Sequence, residues 1–397
     1  MTDIQKENKS GGKVPNLRFP SFEGEWEVKK LGEIAEKIGD GLHGTPSYTD
    51  ESNYYFINGN NLINGKIEIT ENTKKIDAKT FLKNDKNLRK NTLLISINGT
   101  IGNIAKYNNE NVMLGKSVGY FNFEENSDFL YFVLQTSPVQ EHFKSELTGS
   151  TIKNLSLKTL RETNLRLPSQ DEQQKVASFL SLIDERITTQ SKIIKELKTL
   201  KASTAKKIFS QELRFKDDNG NIFSEWEVRE VGEVFKITRG NVLAMNLVSN
   251  QCNEKNTYPV YSSQTKNNGL AGYYTDFLFE DAITWTTDGA NAGDVNYRSG
   301  KFYCTNVCGV LISNEGYANS CIAEIVNSVS KNYVSYVGNP KLMNGVMSEI
   351  KIPFPSLPEQ TKIANFLSAI DSKIDMENQL LQKLEEQKKY LLQNMFV

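Results

Sequence analysis

Apolar residues recur at alternating four- and three-residue steps in two segments of this chain. The first runs through Val176, Leu180, Ile183, Ile187, Ile194, Leu197 and Ile208, the second through Ile363, Leu367, Ile370, Ile374, Leu381, Leu384, Leu391 and Met395. That spacing predicts two long helices, each with a coiled-coil seam. Each predicted helix has about 40 residues and a length of about 60 Å at 1.5 Å per residue. Ser169 with Glu172 and Ser356 with Glu359 fit the S-x-x-E capping box at their starts. Pro358 falls in the first turn, where a missing N–H does little harm. A polar residue interrupts both seams at the same place, Gln190 and Glu377. If the helices pack antiparallel about a pseudo-two-fold axis, these two side chains meet in one polar layer that fixes register. The alternative is a solvated gap in an imperfect seam.

The segments between the helices carry a different rhythm. Short β-branched and aromatic runs, such as Thr92 to Ile97 and Asp281 to Thr287, are bounded by Gly and Asn turns and predict strands. Helical patterns such as Asp128 to Ser137 are interspersed, so compact mixed α/β domains are expected. Two blocks are written twice. "LRFPSFEGEWEVKKLGEI" (Leu17 to Ile34) is echoed from Leu213 to Val234, and "PSQDEQQKVASFLSLIDERI" (Pro168 to Ile187) from Pro355 to Ile374. Trp26 and Trp226 lie 200 positions apart (226 − 26), whereas Asp184 and Asp371 lie 187 apart (371 − 184), so the material between the blocks is 13 residues shorter in the second half (200 − 187). The expected plan is a tail over 1–13, a first domain over 14–166, a helical region over 167–212, a second domain over 213–353 and a second helical region over 354–397. The doubled tryptophan is expected to pack each domain onto its helical support.

Composition narrows the function. With 397 residues, 38% hydrophobic and 24% charged, the chain has material for two or three packed domains. No apolar run reaches the roughly 18 residues needed to span a bilayer, and the polar start does not read as a signal peptide. A cytoplasmic protein is expected. Cys252, Cys304, Cys308 and Cys321 all fall in the second half and read as free thiols rather than a zinc set. The net charge of −1 argues against binding nucleic acid by bulk charge alone. Catalytic material is sparse. His43 and His142 are the only histidines, and there is no phosphate-binding G-x-x-x-x-G-K-[ST] loop. Nor is there a glycine-rich loop suited to S-adenosylmethionine, or an Asn/Asp-Pro-Pro-aromatic tetrapeptide; "GNPKL" (Gly338 to Leu342) is the nearest.

With "EWEV" and a following Gly-Glu opening each half, "EGEWEVKKLGE" in the first, and "PSxxEQxKxAxFLSxID" closing it, the whole chain resembles the specificity subunit of a type I restriction–modification system. The resemblance implies two globular α/β target recognition domains, separated by two long antiparallel coiled-coil helices in a pseudo-two-fold tandem repeat. It implies a bipartite, asymmetric site on double-stranded DNA, with the helices as a ruler. Implied partners are modification (methyltransferase) subunits, two in number, and restriction/translocase subunits. The methyltransferases bring S-adenosylmethionine, so no cofactor is expected on this chain, no metal and no catalytic residue.

Gly- and Asn-rich loops are the DNA-facing surface that this resemblance implies. Backbone N–H groups at glycines can approach phosphate, Asn and Gln suit the adenine edge, and Arg or Lys suits guanine. In the first domain the candidates are Gly41, His43, Thr45, Tyr48, Asn58, Asn60, Asn98, Thr100, Asn103 and Lys116. In the second they are Arg239, Asn241, Tyr261, Ser262, Gln264, Lys266, Asn268, Thr287, Asp288, Asn291 and Arg298. Each of these residue types is equally at home in an ordinary polar turn. Off the seam, Phe179 and Phe366 are expected to be buried against partner subunits, with Gln190 and Glu377 at the helix interface. Two other functions compete. One is the specificity half of a split or fused methyltransferase–nuclease, which would need catalytic motifs. The other is a two-domain coiled-coil scaffold with no DNA role, which leaves the loop composition unexplained.

Overall fold

A computed structural model describes residues 13–149, 153–263 and 267–397. The chain divides into two compact units, one of residues 1–191 with 379–397, the other of residues 192–378. Two long helices, Gln170–Phe209 and Leu357–Asn394, run antiparallel, so each unit holds the first half of one and the last half of the other. The seam residues Val176, Leu180, Ile183, Ile194, Ile208, Ile363, Leu367, Ile374, Leu384, Leu391 and Met395 are buried, as their spacing requires.

In the first unit, strands Lys37–Asp40, Val118–Asn122, Leu93–Ser96 and Ile104–Lys106 form one sheet in that spatial order. Beside it, Tyr54–Ile57 runs parallel to Val112–Leu114, with Ile57 opposite Leu114. Successive side chains of a strand point to opposite faces, and the sheet uses both. Leu93, Ile95 and Phe121 join a core with Phe132, Phe143, Val176 and Leu180 of the helical layer. Leu94, Ala105 and Tyr120 face the other way, into a cluster with Ile57, Leu62 and Leu114. The second unit repeats the plan in a six-stranded sheet that includes Lys236–Arg239, Cys308–Ile312, Phe279–Thr286, Val295–Cys304 and Tyr258–Tyr261. Ile283, Trp285 and Leu311 face Ile322, Ile325, Ile363 and Leu367, while Ala282, Phe302, Cys304, Cys308 and Val310 gather on the far side.

The repeated tetrapeptide forms a clasp. Glu27–Lys30 pairs antiparallel with Asn164–Leu167, the strand that leads into the first long helix, with Glu27 opposite Leu167. Glu227–Glu230 pairs likewise with Lys351–Phe354 ahead of the second helix. The Gly-Glu that follows completes the turn. Gly32 lies where a Cβ would sit 3.0 Å from the Arg161 carbonyl oxygen. The carboxylates of Glu33 and Glu233 accept the backbone N–H groups of Lys30 and Glu230 at 3.1 Å. Trp26 is buried against Phe129 and Phe396, and Trp226 donates its Nε1–H to Glu359 at 2.8 Å.

The expected capping boxes are not how Glu172 and Glu359 are used. Arg18 binds Glu172 through Nε and Nη2, both at 2.7 Å, and Glu359 serves Trp226. A charged or indole donor from the domain's entrance competes better for a buried carboxylate than the helix's own N–H groups do. Burial raises the pKa of Glu359, against the opposing donation from Trp226.

One ion pair is written once per unit. Lys388 meets Asp184 at 2.7 Å in the first, and Lys201 meets Asp371 at 2.8 Å in the second. The two lysines are 187 apart (388 − 201), as are the two aspartates (371 − 184). Lys201 also binds Glu324 at 2.7 Å. Burial disfavours its charge, and the bonds to Asp371 and Glu324 overcome that and leave its pKa raised.

Two glycines govern the approach of loop to strand. A Cβ on Gly41 would lie 2.2 Å from the Leu114 carbonyl oxygen, and one on Gly240 would lie 2.1 Å from that of Cys304. Gly44 has open space around it. Gly41→Ala and Gly240→Ala are each expected to cost about 1–3 kcal/mol by overpacking, and Gly44→Ala within about 0.5 kcal/mol of nothing, read as denaturant midpoints. Lys201→Met leaves Asp371 and Glu324 facing each other. It is expected to lower the melting temperature by several degrees, and Lys201→Met with Glu324→Gln should recover part of the loss.

Candidate functional site

In both units the candidate loops leave the same end of the sheet. In the first, the chain exits Asp40, Ile57 and Ser96 and passes from Leu114 to Val118 on that side. Hydrogen bonds tie these crossings together. Leu42 N–H donates to Leu114 O at 2.7 Å, and the Gly59 N–H and the Ser117 hydroxyl link to each other at 2.9 Å. Ser117 Oγ donates in turn to Asn58 Oδ1 at 3.0 Å. Asn98 reaches Lys116 O at 3.4 Å, and Asn103 reaches Leu62 O at 3.0 Å. Asn58, Asn98, Asn103 and Lys116 are thus brought together, with Asn103 and Lys116 exposed. Asn60 and Thr100 are exposed nearby on the same loops. Gly41 is buried and shapes the backbone. His43 is exposed and paired with Asp40 at 2.6 Å. Thr45 is exposed, and Tyr48 packs its ring on Phe56.

The second unit repeats the arrangement with other residues. Asn241 N–H donates to Cys304 O at 3.2 Å, and Gly240 N–H to Cys308 O at 2.9 Å. Ser262 and Thr305 share a hydroxyl bond at 2.9 Å, and Asn291 reaches Ser263 O at 3.3 Å. Arg239, Asn241 and Asn268 are exposed. Gln264 and Lys266 lie outside the described residues. Two candidates sit differently from the loop-surface expectation. Thr287 is fully buried, its hydroxyl shared between the Asp288 carboxylate at 2.8 Å and the Val307 carbonyl at 3.0 Å. Arg298 lies on a strand, only 9% exposed, rather than on a loop. Asp288 is half-buried near Lys341, with 4.0 Å between charged atoms.

Sequence reasoning missed three hydroxyls of this network, Ser96, Ser117 and Thr305. It also missed a pair of bridges that both units place against the glycine-rich loop. Asn98 bridges to Asn154, which bridges to Thr148; Asp288 bridges to Lys341, which bridges to Ser335. Between Ser335 and Lys341 of the second unit, Val337 is 92% exposed and Tyr336 69%. The signal was a lone Gly beside each pair of bridges, Gly149 and Gly338, both with positive φ.

On the helices, Phe179 packs edge-on against Phe19 and Phe366 against Phe215, both at 5.8 Å between ring centres. Each therefore has an aromatic partner from its own domain's entrance, although Phe366 stays partly open. Gln190 and Glu377 are 6% and 9% exposed. Glu377 pairs with Lys373 at 2.5 Å.

Reactive chemistry is muted. Cys304, Cys308 and Cys321 are buried free thiols, and burial pushes all three up, Cys308 to about 11. At neutral pH they are protonated and poor nucleophiles. Among the described residues no group of His, Cys, Asp and Glu is arranged to hold a metal ion, and no helix is long and apolar enough to cross a membrane.

Comparison with known proteins agrees with this geometry. The family model for the type I restriction modification DNA specificity domain matches twice, over residues 23–199 and 223–386. A Mycoplasma pneumoniae protein described as a type I specificity subunit, S.MpnORF365P, is 34% identical over 223 residues, 55% of this chain and 80% of that one. The crystal structure of a type I restriction–modification S subunit from M. genitalium superposes with a TM-score of 0.64 at 20% identity, covering 97% of this chain and 99% of the other. A chain from a study of type I R-M complex assembly gives 0.54 at 13% identity, covering 94% and 97%. The family model covers both halves and the fold is shared with solved S subunits, so this chain belongs to the family of type I restriction–modification DNA specificity subunits.

Proposed function

We propose that this chain reads a bipartite, asymmetric DNA site, one half-site per unit, and catalyses nothing itself. One observation carries the reading. Both units present loops from the same sheet end on the same backbone scaffold, but with different side chains at matching positions, as two readers of different half-sites require. The gap between half-sites follows from helix length, because DNA advances about 3.4 Å per base pair along its axis. Modification subunits, two per chain, dock on the long helices and bring the S-adenosylmethionine and the adenine chemistry, and restriction/translocase subunits join them. The muted thiols and the scarcity of histidine support the non-catalytic part.

Exposed apolar residues on the helices, Leu182, Leu200, Met376 and Leu380 with the open part of Phe366, support docking there, since such residues cluster at the cores of protein interfaces. Leu182→Lys with Met376→Lys is expected to abolish co-purification with the modification subunit while the far-ultraviolet circular dichroism stays that of the parent. Undiminished co-purification would remove these helices as the docking face. Co-expression with a modification subunit, followed by genome-wide mapping of methylated adenines, is expected to return one split motif with a fixed gap. A continuous motif, or no methylation, would count against the two-reader function.

A further inference from the structure

Across the two sheets, register identifies matching positions. Gly119 lies opposite Ile95, and Gly309 opposite Trp285. One residue back, Leu94 pairs with Ala105, and Thr284 with Asn296. Two strand positions further, on the same face, Tyr107 donates its N–H to Thr92 O, where Arg298 pairs with Ala282. The same patch of sheet is therefore Leu94, Ala105 and Tyr107 in the first unit but Thr284, Asn296 and Arg298 in the second. In the first it is closed by apolar packing with Leu62 and Tyr120. In the second it is a hollow of about 260 Å³ lined by these three with Ser262, Asn291 and Asp294.

Arg298 is the unusual group in that hollow. Its Nε donates to Thr284 Oγ1 at 3.0 Å and its Nη2 to Asn268 O at 2.7 Å, and the guanidinium lies 3.8 Å over the Tyr261 ring. Among the described residues no carboxylate lies within ion-pair distance of it, and the nearby Asp294 is held by Lys331 at 2.8 Å. Burial lowers the Arg298 pKa, yet a guanidinium stays charged in proteins. A buried charge without a counter-charge is costly to keep, and an apolar patch avoids that cost, as Leu94 and Ala105 with Tyr107 do in the first unit. A fold that keeps such a group pre-positioned, beside loops that also supply Ser262, Asn268 and Asn291, is set for an acceptor that arrives from outside.

We propose that this hollow takes one acceptor group of the bound DNA, a phosphate oxygen or the acceptor edge of a base, onto Arg298, and that the first unit has no counterpart. The inference rests on the DNA-reading function proposed above. The hollow is smaller than the roughly 300 Å³ at which clefts begin to enclose a whole small ligand, so it suits a single group. The two readers then differ in kind: one presents a closed surface, the other a socket.

The test uses the full chain co-expressed with its modification subunit, as parent, Arg298→Met, Arg298→Lys and Asn296→Leu. Asn296→Leu fills the hollow and breaks no hydrogen bond that Arg298 makes, so it decides the matter if Arg298→Met fails to fold. If the group is a phosphate, all three variants bind every duplex more weakly, and the slope of log affinity against log salt falls by about 0.9 for the two that lose or block the contact. If it is a base edge, the slope stays and preference at one position of the second unit's half-site relaxes, roughly ten- to a hundredfold. In both cases the first unit's half-site is read as before. An Asn296→Leu complex that melts like the parent, with salt slope and both half-sites unchanged, overturns the proposal. A parent complex that binds no duplex and methylates no split motif overturns the DNA-reading function instead.

Discussion

Each recognition domain begins and ends in one antiparallel strand pair, and the rest of its structure hangs from that pair. Glu27–Lys30 against Asn164–Leu167, and Glu227–Glu230 against Lys351–Phe354, bring the domain's two ends side by side at the foot of a helix. Without this pairing, more than a hundred residues of loops and short strands would meet the helix through side chains alone. With it, backbone hydrogen bonds fix the register, and the Trp contacts and the Arg18–Glu172 bond lock the strand pair to the helical layer. What lies beyond the clasp can vary so long as its ends return to the same place.

Variation is bounded on the other side by close backbone approaches. Gly41 and Gly240 sit against carbonyl oxygens of the neighbouring strand's end, and the loops after Ile57 and Tyr261 are pinned by hydroxyls of Ser117 and Thr305. The frame of each loop cluster is thus made of backbone and small polar groups. Side chains larger than these point outward from a fixed frame, which is how a rigid scaffold places recognition groups on its loops.

Much of this was legible in the sequence because it repeats. Seam periodicity gave both long helices, and the doubled tetrapeptide marked both domain entrances. Glycine- and asparagine-rich turns led to loops that do converge. The failures have physical causes. Glu172 and Glu359 look like capping residues locally, and only tertiary packing brings Arg18 and Trp226 to them. Arg298 falls in the ten-residue strand Val295–Cys304, whose mixed polarity hides which face is buried. Its partners Thr284 and Asn268 are distant in sequence. Thr287 follows a strand and precedes a glycine turn, as surface readers do, yet it is buried, its hydroxyl shared between Asp288 and the Val307 carbonyl.

The paired lysine–aspartate bridges have a further consequence. Asp184 from the first repeat bonds Lys388 from the second, and Lys201 from the first bonds Asp371 from the second, so sequence halves and compact units do not coincide. The first unit needs residues 379–397, which leave the ribosome only after every residue of the second unit has been made. The second unit, residues 192–378, is contiguous in sequence. The domain synthesised first is the one finished last, and until then Trp26, Leu180 and their neighbours lack the Leu391, Met395 and Phe396 side of their core.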